Sequence, residues 1–131
     1  FSTFSVNECI EELIVLSQRL ANQRKIAIEK DFVADKLLIS SNPSELQFII
    51  YCLIEKNLKM LEKDSRIVIK TERSDNSVAI SIIPKGNIIK TDEEGTCSDD
   101  VYESVINRMG GSISKEGING GIIIILPVSS L

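Results

Sequence analysis

Hydrophobic residues recur at intervals of three or four positions in two stretches of the chain, which is the spacing of an amphipathic helix. The pattern predicts helices over residues 6–24 and 43–61, and a third helix is predicted over 99–109. The second helix has the clearest start. Asn42 is a capping residue, a proline occupies the first helical position and a glutamate stands three residues after the cap. Two glycines end the third helix.

Strands are predicted where short runs of β-branched residues alternate with polar residues or stand between turn residues. The predicted strands are residues 25–30, 33–40, 66–72, 78–83, 112–115 and 122–127. The last strand contains four consecutive isoleucines, 122–125, which are typical of a central strand with little solvent on either face. Turn residues at 73–77 and 117–121 predict two hairpins, and the polar composition of 85–98 predicts a mobile loop.

This order of elements predicts one α+β domain over residues 1–131. We expect a two-layer sandwich in which a mixed sheet of about five strands carries three helices on one face. A chain of 131 residues is long enough to bury a core without disulfide bonds. Cys9, Cys52 and Cys97 are odd in number and unevenly spaced, which favours a reducing compartment and a cytoplasmic location.

Composition and charge exclude several classes of protein. The chain is 43% hydrophobic with a net charge of −4, so it is not a disordered chain and offers no basic surface for nucleic acid or for an anionic membrane. No apolar stretch approaches the roughly 20 residues of a membrane span. The sequence contains no histidine, which excludes a Ser-His-Asp or Cys-His catalytic group, a histidine-ligated zinc and a phosphohistidine on this chain.

Several segments resemble the ATP-binding domain of sensor histidine kinases, the GHKL or HATPase type with a Bergerat-type fold. Residues 4–13, Phe-Ser-Val-Asn-Glu-Cys-Ile-Glu-Glu-Leu, resemble the segment that follows the dimerising helical hairpin in that family. Residues 38–47, Leu-Ile-Ser-Ser-Asn-Pro-Ser-Glu-Leu-Gln, resemble the start of its nucleotide-binding helix. Residues 109–114 and 120–127 resemble its terminal pattern, in which two glycine-rich turns each precede a strand and the second strand ends in Leu-Pro. The resemblance extends over nearly the whole chain and implies the same α+β sandwich.

The family's N box, which holds magnesium, aligns with the nine residues that begin at Cys52, Cys-Leu-Ile-Glu-Lys-Asn-Leu-Lys-Met. Glu55 and Lys59 match residue types of the family, but Cys52 and Lys56 replace its two asparagines. Lys56 stands at the magnesium ligand, and an ammonium group has no lone pair with which to coordinate a cation. Using Asn57 instead would rotate the helix by about 100° and misplace its apolar face.

Two further nucleotide motifs of the family are missing at the expected positions. At the end of strand 78–83, where an aspartate should accept the adenine amino group, the sequence has Ile83 and Pro84, and only Gly86 of the motif's glycines remains. Where a glycine-rich lid should wrap the triphosphate, residues 92–100 carry aspartates and glutamates. Carboxylates repel phosphate, whereas backbone amides next to glycines bind it.

The resemblance therefore implies a degenerate nucleotide pocket, whose remnant is Cys52, Glu55, Lys56, Lys59 and Gly86. We expect no catalytic residue, no metal site and no cofactor in such a pocket. The implied function is a docking or regulatory module in phosphorelay signalling, as part of a pseudo-histidine kinase or a histidine phosphotransferase of two-component type. The implied partners are a helical hairpin of the parent protein, expected before residue 1, a response regulator receiver domain and a second protomer in a homodimer.

Two alternatives to this interpretation stay open. An active sensor histidine kinase domain would bind ATP through Lys56, Lys59 and backbone amides, with magnesium as a further cofactor and Glu55 as its general base. An unrelated α+β adaptor would share only the order of the elements. Cys52 is interpreted either as a buried, inert thiol or as a redox sensor. The acidic residues of 92–100 are interpreted either as a solvated loop or as a calcium site that lacks the EF-hand spacing.

Overall fold

The computed structural model describes residues 2–34, 37–89, 99–116 and 121–128, and in these residues the chain forms three helices and seven strands. The helices are α1 (Val6–Gln23), α2 (Pro43–Met60) and α3 (Asp99–Arg108). The strands are β1 (Ser2–Ser5), β2 (Ala27–Asp31), β3 (Leu38–Ser41), β4 (Arg66–Ser74), β5 (Ser77–Lys85), β6 (Ser112–Glu116) and β7 (Gly121–Pro127). Each helix begins at the predicted residue and ends one residue before the predicted end. Within these residues, no helix has the length and apolar character needed to cross a membrane.

Five strands form a mixed sheet in the order β2-β4-β5-β7-β6, which confirms the predicted fold class. β2 runs parallel to β4, with Ala27 opposite Arg66, and the other neighbouring strands are antiparallel. β1 and β3 form a separate two-stranded sheet, in which Ser2 lies opposite Ser41. The predicted strand 33–40 is therefore shorter than expected and lies outside the main sheet, and β1 has no counterpart among the predicted strands.

One face of the main sheet is buried beneath the helices. Along β4, β5 and β7, buried residues alternate with half-buried or exposed ones, and the buried residues join the apolar sides of α1 and α2 in one hydrophobic core. The expectation that isoleucines 122–125 keep solvent from both faces is wrong. Ile122 and Ile124 are buried, but Ile125 points to the outer face and is 38% exposed. Within the described segments, the helices cover the inner face alone.

The helix ends are closed by the residues that the sequence indicates. The Asn42 side-chain oxygen accepts hydrogen bonds from the Ser44 and Glu45 amides, at 3.0 and 3.3 Å. After α3, Gly110 has a φ of +82° and donates to the Asn107 carbonyl, while the next amide donates to the third-last carbonyl of the helix. This is the Schellman arrangement, in which the left-handed residue is most often glycine.

The loops differ from the sequence prediction in two places. β4 and β5 are longer than predicted, and Asp75 and Asn76 alone form the turn between them. Residues 85–89, predicted as part of a mobile loop, are hydrogen-bonded to the chain that leaves α2. The Glu62 amide donates to the Asn87 carbonyl at 2.9 Å, and the Ile89 amide donates to the Met60 carbonyl at 2.7 Å. The rest of that loop and the predicted turn at 117–120 lie outside the described residues.

α1 and α2 are parallel and are joined near both ends. At their N-terminal ends, the Gln47 side-chain amide donates to the Cys9 carbonyl at 3.0 Å. Beyond their C-terminal ends, the Asp64 amide donates to the Lys25 carbonyl at 2.7 Å. Both helices contain 18 residues, so their two ends lie at similar levels.

A ring of three hydrogen bonds ties α1 to the sheet. The Thr71 hydroxyl on β4 donates to the Asn7 side-chain oxygen at 2.9 Å, and the Asn7 side-chain amide donates to the Val33 carbonyl at 3.0 Å. The Val33 amide closes the ring by donating to the Thr71 hydroxyl at 3.2 Å. Thr71 is buried. Because each of the three residues serves as both donor and acceptor, loss of the hydroxyl leaves two partners unsatisfied.

Thr71→Val is expected to lower the free energy of unfolding by about 1–3 kcal/mol, since it keeps the side-chain shape and removes the hydroxyl. Urea denaturation of Thr71→Val, Asn7→Ala and the double variant measures whether the two residues act together. We expect the double variant to lose less than the sum of the single losses, by at least about 0.5 kcal/mol. Losses that add within about 0.3 kcal/mol would show that the ring does not couple α1 to β4.

Candidate functional site

Four of the five predicted pocket residues lie on one side of the C-terminal half of α2. Cys52, Glu55, Lys56 and Lys59 are spaced at three- and four-residue intervals, which places them within about 100° around the helix axis. Cys52 is fully buried, and the other three are half-buried. Gly86 directly follows β5, in the segment that is hydrogen-bonded to the chain leaving α2.

The charges on this side of α2 are partly paired. The Lys59 ammonium lies 3.9 Å from a Glu55 carboxylate oxygen, one helical turn away. A pair of this spacing on a helix contributes about 0.2–0.5 kcal/mol, so water or an anionic ligand can displace the contact at little cost. Lys56 adds a second ammonium group to the same side. This wall of the site presents two cations and one carboxylate, a combination suited to attracting an anion and not to coordinating a metal ion.

Asn57 faces the core and not this wall. Its side chain is 3% exposed, and its amide nitrogen donates to the Leu53 carbonyl at 3.0 Å, one turn earlier on the same helix. The alignment that would use Asn57 as the magnesium ligand is thus excluded for this helix orientation, as its apolar pattern predicts.

The inner position at the end of β5 is occupied by Pro84. Pro84 is buried and lies opposite Ile67 on β4, while Ile83 points to the outer face opposite Val68. Pro84 is therefore the residue on the helix-covered side, where a carboxylate would be needed to accept a hydrogen bond from an adenine amino group. Proline carries neither a side-chain acceptor nor a backbone N–H.

Gly86 is required by packing. Its φ is +145°, and a Cβ at this position would overlap the Ser65 side chain. Ser65 directly precedes β4 and is itself buried. The sequence identified Gly86 as a remnant of the adenine-binding motif, but it contained no signal for this close approach, which joins residues far apart in the chain.

The acidic segment 92–100 is mostly outside the described residues. Asp99 and Asp100 form the first turn of α3, as predicted. In the described residues, no three histidine, cysteine, aspartate or glutamate side chains come together in a group that could hold a metal ion.

Cys9 and Cys52 lie in the core without a disulfide bond, and only Cys52 was a candidate from the sequence. Cys52 is buried on α2, as one of its two interpretations predicts. Cys9 on α1 is also buried, and the loss of hydration raises the pKa of its thiol to about 11. The Glu12 carboxylate adds to this rise, while a hydrogen bond with Gln47 opposes it. Cys97 lies outside the described residues.

Comparison with known proteins identifies the fold. No protein-family model matches the sequence, and no curated protein matches it. Among solved structures, the nucleotide-free catalytic domain of histidine kinase ThkA matches with a TM-score of 0.80 and 19% identity, over 97% of this chain and 95% of that one. The mycobacterial sensor histidine kinase MprB matches with a TM-score of 0.76 and 14% identity, over 99% of both chains. ThkA in complex with the response regulator TrrA matches with a TM-score of 0.84 and 20% identity, over 98% of this chain and 42% of that one. The chain thus has the fold of histidine kinase catalytic domains.

Gly86→Ala is expected to destabilise the protein more than Gly110→Ala, as measured by urea denaturation. Both glycines have a positive φ, which strains an alanine by about 1–3 kcal/mol. At Gly110 the nearest atom to a new Cβ is 3.6 Å away, whereas at Gly86 the Cβ would also overlap Ser65. In a Ser65→Gly background the cost of Gly86→Ala should fall towards that of Gly110→Ala. An unchanged cost in that background would rule out the overlap as its cause.

Cys9 is expected to resist alkylation by iodoacetamide at pH 8. The reactive species is the thiolate, and a pKa of about 11 in place of 9.0 lowers its fraction about 100-fold. Peptide mass mapping follows Cys9 separately from the other two cysteines. The rate at Cys9 should be at least about 100-fold lower in the folded protein than in urea, and it should rise about tenfold per pH unit between pH 8 and 10. Equal rates in the folded and unfolded protein would contradict the raised pKa.

Proposed function

We propose that this chain is a binding domain of a two-component signalling protein in which the nucleotide pocket does not hold magnesium–ATP. The parent protein would be a pseudo-histidine kinase or a histidine phosphotransferase that contains a kinase-like domain. The fold supports the assignment to two-component signalling, because ThkA and MprB, which share it, are histidine kinases. The side chains of α2 and β5 support the loss of magnesium–ATP binding.

The orientation of Asn57 is the observation that carries the proposal. It is the one asparagine within the aligned nine-residue segment of α2, and its side chain is turned into the core and hydrogen-bonded to Leu53. Its amide therefore does not reach the pocket wall. Lys56 stands at the ligand position instead, and its ammonium group has only donors. Magnesium would have no protein ligand on this helix wall except the carboxylate of Glu55, which already lies beside Lys59.

The end of β5 supports the same proposal through the adenine end of the pocket. Pro84 offers no side-chain acceptor to an adenine amino group, and a buried amino group left without a partner costs about 1–3 kcal/mol. The requirement for Gly86 is explained by its contact with Ser65, so this glycine does not argue for a nucleotide ligand.

We propose a response regulator receiver domain as a partner of the parent protein, since ThkA has been solved in complex with the response regulator TrrA. A helical hairpin of the parent protein and a second protomer complete the proposed assembly. Because the chain contains no histidine, any phosphohistidine in such a relay belongs to another segment or another chain.

The competing function is an active kinase domain that binds ATP through its lysines. One observation favours it: the Lys59–Glu55 contact is long, at 3.9 Å, so the Lys59 ammonium is available to a phosphate at little cost. The two functions differ in the affinity for ATP and in its dependence on magnesium.

Titration with a fluorescent ATP analogue, with and without magnesium, is expected to show no magnesium-dependent binding tighter than about 1 mM, which corresponds to roughly −4 kcal/mol. Lys56→Asn alone should not restore binding, because Pro84 still leaves the adenine amino group unpaired. The matched control is Lys63→Ala, which removes an exposed lysine that follows α2. Magnesium-dependent micromolar affinity that is lost in Lys56→Ala and kept in Lys63→Ala would establish the active kinase instead.

A further inference from the structure

Large apolar side chains are exposed on the outward sides of α1 and α2. In the described part of the chain, five large hydrophobic residues are exposed, and three of them lie on these two helices: Val15 at 73%, Leu16 at 74% and Phe48 at 46%. Tyr51, one turn after Phe48, is half-buried. The solvent side of an amphipathic helix normally carries polar residues, and a contiguous exposed apolar surface marks an interaction site.

The parallel arrangement of the helices brings these side chains to the same level. The Gln47 side-chain amide donates to a Glu12 carboxylate oxygen at 3.3 Å, which fixes how the two helices align. Leu16 lies one turn after Glu12, and Tyr51 lies one turn after Gln47, so Leu16 and Tyr51 are neighbours across the groove between the helices. Val15 and Phe48 flank them on α1 and α2. We name these four residues, Val15, Leu16, Phe48 and Tyr51, the outer helix surface.

The outer helix surface is acidic at one end. Glu8 and Glu12 are exposed on the same side of α1, Glu8 two turns and Glu12 one turn before Leu16. Glu11 is excluded from this group because it is paired with Lys30 at 3.7 Å. Arg19 is the cation on this side of α1, so two carboxylates and one guanidinium leave the α1 side of the surface negative.

We propose that the outer helix surface docks an amphipathic helix of a partner protein, with apolar residues on one face of that helix and lysine or arginine beside them. A groove between two helices accepts a third helix through side chains spaced by three and four residues. The acidic end selects a basic helix, and it disfavours nucleic acid or anionic lipid. A second copy of this chain would bring the same two carboxylates, Glu8 and Glu12. The proposal goes beyond the proposed function, and the result of the ATP titration does not affect it.

The probe is a fluorescein-labelled helical peptide of about 18 residues, with leucines at i, i+3, i+4 and i+7 and lysines beside them. The matched peptide has glutamates in place of the lysines. Fluorescence anisotropy with the whole chain is expected to show at least about tenfold tighter binding of the basic peptide. Raising the salt from about 0.1 to 1 M should narrow this difference, because the screening length falls from about 10 to 3 Å.

Variants of the protein locate the binding surface. Leu16→Ser and Phe48→Ser keep the charge of the protein and should each lower its affinity for the basic peptide about tenfold. The double variant Glu8→Gln with Glu12→Gln should lower the affinity for the basic peptide several-fold and reduce the salt dependence of that affinity. The control is Ile89→Ser, which removes an isoleucine that is 59% exposed outside this surface and should leave binding unchanged. Circular dichroism checks that each variant is folded.

Three results would overturn the proposal. The first is equal affinity for the basic and acidic peptides, which needs no variant of the protein. The second is a loss of peptide affinity in Ile89→Ser as large as that in Leu16→Ser, which would show that the peptide binds exposed apolar residues without preference for this surface. The third is a dimer of the free protein, seen by sedimentation and dissociated by Leu16→Ser, which would identify a second copy as the occupant of the surface.

Discussion

Isoleucine and valine side chains on one face of the sheet must be removed from water, and the rest of the structure depends on how α1 and α2 do this. Full burial of one such side chain contributes about 1.5–3 kcal/mol, so this face stabilises the fold more than any single polar contact. Hydrogen bonds near both ends of α1 and α2, such as that from the Asp64 amide to the Lys25 carbonyl, hold the two helices parallel to each other over the sheet. Both surfaces with a proposed role lie at the margin of this core. The predicted pocket residues are on the C-terminal half of α2, and the outer helix surface is formed by the middle of α1 and the middle of α2.

Local signals in the sequence were sufficient for the helices and insufficient for part of the sheet. Asn42 satisfies amides only two and three residues away, so its role as a cap is readable from a short window. β1 could not be found this way, because its four residues become a strand only through pairing with β3, more than 30 residues later. The exposure of Ile125 could not be predicted either, since it depends on which face of the sheet the helices cover and not on the strand's own residues.

The same distinction applies to the candidate site. The side of α2 that Asn57 occupies follows from the helical repeat, so the sequence excluded it correctly from the pocket. The close approach of Gly86 to Ser65 arises between residues brought together by folding, and no spacing in the sequence encodes it. Among the predicted pocket residues, Glu55, Lys56 and Lys59 lie outside the core, so a fold of this kind is able to persist while these residues change, and the fold alone does not establish an activity.

The isoleucine run of β7 has a consequence for strand slippage. A shift of one position relative to β5 would exchange the inner and outer side chains, yet in the middle of the run it would replace isoleucine by isoleucine. The run itself therefore contains almost no information about its own alignment. That information lies at its C-terminal end, where a slip would move Leu126 out of the core and bring Pro127 into it. The hydrogen bond from the Val128 amide to the Asn76 carbonyl, 2.8 Å long, would also be lost. A strand that is almost uniform in its middle is thus aligned by the residues at its C-terminal end and directly after it.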